Sequence, residues 1–197
     1  MIINNNELKF AEKVILIDAA YIDKVTTDLS QHFSQVIGRE LPKADLPIFL
    51  ECVAMDAAIQ PGEHVLQVLL VYDKNHAKLN AFNPSDLKKA LNDVAFKSQL
   101  GEFQLNTFEP SGMADKASFF IESVKLIADA KEVKQLIIIP SEDECDDRLF
   151  EIFKKVDGKE SIHLFGMNPP SQEGKFSWET MGFSILQSLG VRADEIK

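Results

Sequence analysis

VILIDAAYIDKV, residues 14–25, decides how the rest of the chain is read. Four apolar residues in a row end at Asp18, and small residues and then a helical pattern follow. A continuous apolar run suits a strand covered on both faces, as in a parallel sheet between helical layers. From Ala20 to Ile37 the apolar positions Ile22, Val25, Leu29, Phe33, Val36 and Ile37 recur at helical spacing, and Gly38 is a natural stop. Strand, acidic junction and helix together make the first βα unit.

Working outward, the same alternation recurs. Residues 45–59 predict a second helix, with Asp45 placed to cap it and Pro47 in its first turn. HVLQVLLVYD (64–73) reads as a strand that again ends at an aspartate. Ser85 to Leu91 fits a short capped helix, and 94–108, with Leu100-Gly101 at its centre, fits a β-hairpin. Ala114 to Ala130 is helical, QLIIIPSEDE (135–144) is a strand running into an acidic turn, and Leu149, Ile152, Phe153 and Val156 mark the next helix. SIHLFGM (161–167) is a last strand, and residues 168–197 form a helical extension whose apolar face carries Trp178, Met181, Ile185 and Leu189. Residues 1–12 read as a short, frayed polar leader. With no repeat or linker, the expectation is one domain over 1–197: a three-layer α/β/α sandwich with a mostly parallel sheet.

Composition narrows the functions. At 45% hydrophobic and 26% charged, the 197-residue chain can build a substantial core. A net charge of -10 argues against broad attraction to nucleic acid or anionic membrane. The opening MIINNNELKF has no secretion-signal pattern, and the two cysteines, Cys52 and Cys145, show no knuckle spacing, so a reducing cytoplasm is expected. The four histidines are scattered, and there is no P-loop or GxGxxG turn.

In parallel sheets, ligands gather beyond the carboxyl ends of the strands. Here those positions hold Asp18, Asp73 and the run Ser141-Glu142-Asp143-Glu144. Carboxylates gathered at one edge repel unless something compensates, and Mg²⁺ or Mn²⁺ is a usual choice because hard ions prefer oxygen. Such an ion lowers the pKa of bound water and steadies charge on a phosphoryl group, which is the chemistry of phosphodiester cleavage.

VILIDAAY, with the half from Ala114 to Gly166, resembles the NYN domains, a branch of the PIN-like ribonucleases. The resemblance covers roughly residues 14–37 and 113–167 and implies a PIN-like, Rossmannoid fold. It places Asp18 on the first-strand aspartate, Glu122 on a helix carboxylate, Asp143 on the first aspartate of a Ser-Gly-Asp-Ser-Asp-type turn, and Ser141 on that turn's serine. These carboxylates would be the catalytic metal ligands, with Asp115 or Glu144 as a fourth, Lys116 or Lys24 facing phosphate, and RNA as substrate. Tyr21 stands where the family usually has asparagine, Lys116 where it has a carboxylate, Glu142 for the turn glycine, and Cys145 for the second turn aspartate. The whole chain also resembles an uncharacterised bacterial family, which supplies no chemistry.

Two function classes follow. One is a Mg²⁺- or Mn²⁺-dependent ribonuclease using Asp18, Glu122 and Asp143. The other, favoured by the departures and the net charge, is a non-catalytic relative that binds protein, or else nucleic acid, through the same sheet edge. In the plainer reading of the same residues, Asp18 caps its helix, Glu122 lies on a solvated face, and Ser141 to Asp147 is an acidic capping run favoured by a helix dipole. Phe176, Trp178 and Phe183 are either core cover or a docking surface.

Overall fold

The structure is a computed structural model that describes residues 9–111, 115–143 and 147–196. Its elements, in chain order, begin with β1 (Lys13–Asp18), α1 (Ala19–Ile37), β2 (Ala44–Asp45) and α2 (Leu46–Asp56). Then come β3 (Val65–Val71), β4 (Phe82–Asn83), β5 (Val94–Ser98), β6 (Gly101–Phe108) and α3 (Lys116–Asp129). The chain continues through β7 (Gln135–Ile139), α4 (Asp147–Lys155), β8 (Ser161–Gly166), β9 (Ser177–Thr180) and α5 (Gly182–Ser188), then a short 3-10 turn at Ala193–Glu195. Among the described residues, no helix is long and apolar enough to cross a membrane.

Seven strands form one sheet in the order β5-β6-β3-β1-β7-β8-β9, parallel except for β5. β1 lies at the centre, paired with β3 on one side and β7 on the other. Its side chains alternate between two cores, which is why VILI is apolar at every position. Ile15 and Ile17 join Phe49, Phe82 and Phe103 under α1, α2 and α5, whereas Val14 and Leu16 join Phe120, Val124 and Phe153 under α3 and α4. The expected α/β fold with a mostly parallel sheet between helical layers is therefore what the chain adopts.

The hairpin forms as read: β5 and β6 pair antiparallel with Ser98 opposite Gly101, so Gln99 and Leu100 make the turn. Four expectations change. Residues 85–91 make a single turn rather than a helix: Asp86 accepts from the Lys88 and Lys89 N–H groups at 3.2 and 2.9 Å. The chain then reverses at Asp93, whose φ of 57° ends any helical run. The C-terminal segment is not all helix, because Ser177–Thr180 adds β9 to the sheet. Trp178 packs on the α3/α4 side while Met181, Ile185 and Leu189 pack on the other, so one apparent stripe is two faces split by the sheet. Phe176 is core cover too, but Phe183 is 75% exposed. Lastly, the part of the leader nearest the sheet is held: Ala11 N–H donates to Gln67 Oε1 at 3.1 Å, and Glu12 O accepts from Lys134 and Gln135. Residues 1–8 lie outside the described residues.

The small parallel pair β2–β4 had no sequence signal at two residues per strand. It is fixed to α1 by Asp23, which accepts from the Ala81 N–H at 2.7 Å and from Asn80 at 3.3 Å.

Candidate functional site

With the parallel strands counted along the chain, the sheet order is the doubly wound 3-2-1-4-5-6, in which β1 and β7 flank the switch point. Connections leave these two strands toward opposite faces, opening a crevice at their carboxyl ends. Asp18 ends β1 in this crevice and is 1% exposed. One of its oxygens accepts the Tyr21 N–H at 3.0 Å, capping α1, and the other is paired with the Lys116 ammonium. Lys116 opens α3, and Asp115 just before it caps that helix through the Ser118 N–H at 2.8 Å. That bond, with the Ser118 hydroxyl, holds the Asp115 carboxyl below the usual range.

The other expected ligands do not join Asp18. Glu122 is exposed, since α3 buries Phe120, Ile121 and Val124 and turns Glu122 about 240° from Lys116 around the helix. Asp143 is also exposed and pairs with Lys24 at 3.2 Å. Ser141 is half-buried just past β7. Asp73 lies beyond β3; burial would raise its carboxyl, but His76 at 2.8 Å and the Asn75 N–H keep it lowered. Glu144 and Cys145 lie outside the described residues. Among the described residues, no three His, Cys, Asp or Glu side chains gather as metal ligands would. Among the described residues the donors around Asp18 do not suit a divalent ion: each of its oxygens already accepts a hydrogen bond, and an ammonium pairs with it.

Glu142 has the role that the sequence did not suggest. It stands in the turn after β7, and its Oε1 accepts from the N–H groups of Met167 and of Asn168, the latter at 2.7 Å. Its Oε2 accepts from the Asn168 side chain at 2.8 Å. Gly166 makes room for this latch, because a Cβ there would stand 2.6 Å from Oε1. Burial alone would raise the Glu142 carboxyl, yet the Asn168 and Met167 donors win and keep it lowered. A lowered carboxyl stabilises the fold above the unfolded glutamate value, about 4.3, and that contribution disappears as the pH falls through the folded value. Protection of the Met167 and Asn168 amides, taken relative to the intrinsic exchange rate at each pH, is therefore expected to fall as the solution is acidified below that range, ahead of the amides in β1. Unchanged protection there would mean the latch does not depend on charge.

Tyr21 lies beside this latch. It is 7% exposed, and its buried hydroxyl makes no hydrogen bond of normal geometry but lies beside the Glu142 carboxylate, with which it interacts. Burial, reinforced by the nearby Glu142 carboxylate, pushes the phenol far above its ordinary value. Because no bond of normal geometry holds the buried hydroxyl, Tyr21→Phe is expected to change stability by no more than about 1 kcal/mol. A loss above about 1 kcal/mol would show a bond that the geometry lacks.

A family model described as a family of unknown function, DUF6621, matches residues 7–196. The chain belongs to that family. No curated protein and no solved structure matched this DUF6621 chain.

Proposed function

We propose that this chain is a non-catalytic, NYN/PIN-like protein that binds a protein partner at the carboxyl edge of its sheet. The pairing of buried Asp18 with Lys116 carries the reading. A metal that activates water needs carboxylate oxygens free to coordinate it, and at this switch point they are taken by an ammonium and a backbone N–H. Lys24, another cation near the crevice, is paired with Asp143. With these lysines engaged and a net charge of -10, the edge offers little to polyanionic RNA.

Calorimetry with Mn²⁺, alongside incubation of single-stranded RNA with Mg²⁺ or Mn²⁺, tests this. The expected result is no saturable heat at millimolar Mn²⁺ and intact RNA. Saturable Mn²⁺ binding that disappears in Asp18→Asn, together with RNA cleavage, would return the chain to the nucleases.

A further inference from the structure

The connection from β8 to β9, residues 167–176, arches along α4 and is pinned near both ends of that helix. Gln172 Nε2 donates to Asp147 Oδ1 at 2.6 Å, and Lys175 Nζ donates to the Val156 carbonyl at 3.3 Å. Under the arch lies a cavity of about 220 Å³ at the carboxyl edge of the sheet. Leu164 and Trp178, opposite each other in β8 and β9, line it from the sheet, and Phe150 lines it from α4. Phe150 is itself braced by Phe176 and Phe153, with ring centroids 6.0 and 6.4 Å away. Pro169 and Pro170 line it from the arch, and their fixed φ angles, with the two pins, keep the arch from settling onto the floor. Asn168, Ser171 and Glu142 supply the polar part of the lining.

An apolar cavity of about 150 Å³ holds one benzene ring. This one therefore has room for a single ring with a small substituent, and it falls short of the roughly 300 Å³ at which sites for whole cofactors begin. Trp178 and Phe150 favour an aromatic occupant, which they can meet edge to face or in an offset stack. Glu142 is already engaged by Met167, Asn168 and Tyr21, so it offers no seat to a cation, while its charge repels an anion. The matching occupant is neutral. Asn168 Nδ2 donates to Glu142 Oε2 at 2.8 Å, which fixes how the amide is turned and leaves Oδ1 an acceptor without a partner among the described residues. One neutral ring carrying one donor is a phenol, and the phenol that a protein carries is tyrosine. We infer that the cavity receives a tyrosine side chain of the protein partner, its ring against Trp178 and Phe150 and its hydroxyl donating to Asn168 Oδ1. This rests on the reading of the carboxyl edge as a partner-binding surface and gives that surface its anchor, since a few buried aromatic side chains carry most of the energy of many interfaces.

Trp178 is the single tryptophan of the chain, so its fluorescence, excited where tyrosine does not absorb, reports on the cavity in the whole protein. The probes are N-acetyl-tyrosine amide, the matching phenylalanine, leucine and phosphotyrosine amides, and p-cresol. A saturable change in Trp178 emission is expected at millimolar tyrosine amide, with amide NMR shifts at Asn168 and Ser171. The phenylalanine amide, which lacks the hydroxyl, should bind about threefold to tenfold more weakly. The leucine and phosphotyrosine amides should not saturate. Ser171→Phe, at an exposed position on the rim, should obstruct the mouth and weaken tyrosine binding about tenfold or more while the rest of the amide spectrum is kept. No saturation by the tyrosine amide, equal binding of the phenylalanine or leucine amide, or undiminished binding by the Ser171 variant would overturn the inference. Saturation by p-cresol without the tyrosine amide would make the cavity a site for a free phenol, and would overturn a partner's tyrosine as its occupant. Each of those failures would leave the non-catalytic reading standing, since that reading falls only to metal-dependent RNA cleavage.

Discussion

Lys116→Met is expected to lose about 3–5 kcal/mol of unfolding free energy, because it strands an ionised carboxylate inside the protein. Asp18 is 1% exposed and the Lys116 side chain 12%, so solvent does little to screen the pair. The remaining Tyr21 N–H cannot compensate a full charge by itself. Adding Asp18→Asn to the Lys116 variant should recover most of the loss, since asparagine keeps the cap of α1 and removes the stranded charge. Urea unfolding of the two chains at pH 7 checks this. If the double variant is as unstable as the single one, Lys116 acts through its packed stem, and the electrostatic account fails.

Gly101→Ala is expected to cost about 2–5 kcal/mol, the sum of a strained backbone and an overpacked contact. Gly101 has a φ of 125°, which side chains other than glycine rarely adopt. A Cβ there would stand 2.5 Å from the His64 carbonyl oxygen and 3.0 Å from Leu66. That carbonyl cannot move away freely, because it accepts the Glu102 N–H at 2.9 Å. The first turn of β6 against β3 should therefore open before the rest of the sheet, and exchange at the Glu102 amide reports it. A loss under about 1 kcal/mol would mean that the hairpin tip can shift as a unit.

The architecture was legible because the strands buried on both faces are continuous apolar runs. VILI, VLQVLLV and LIII declare a parallel sheet without any knowledge of pairing. The terminal segment was misread for a physical reason: Trp178, Met181 and Ile185 keep helical spacing, yet the sheet runs between the first and the other two. Periodicity cannot show that a stripe changes layers.

The site was legible in its parts and not in its pairing. Asp18 as a helix cap and Lys116 as a departure were both visible, but their contact joins residues 98 apart in sequence. Glu122 and Asp143 were placed by resemblance, and the helix and turn that carry them send both to the surface. Glu142 had a faint signal: a glutamate in the turn after one strand, opposite the Gly166 that ends the next. Nothing local in the sequence shows that its carboxylate reaches the Met167 and Asn168 amides.

The central place of β1 also bears on how the chain is made. Its two neighbours are supplied by segments far downstream, Val14 pairing with Gln67 and with Leu136. The later of these leaves the ribosome about 120 residues after β1, or roughly 6–24 s at ordinary rates of synthesis. For that interval β1 lacks at least one of its two neighbours, and for most of it Asp18 has been made without the lysine that will neutralise it. A carboxylate at the end of an unpaired apolar strand disfavours edge-to-edge association, and the one at the end of VILID becomes a buried ion pair only when α3 arrives.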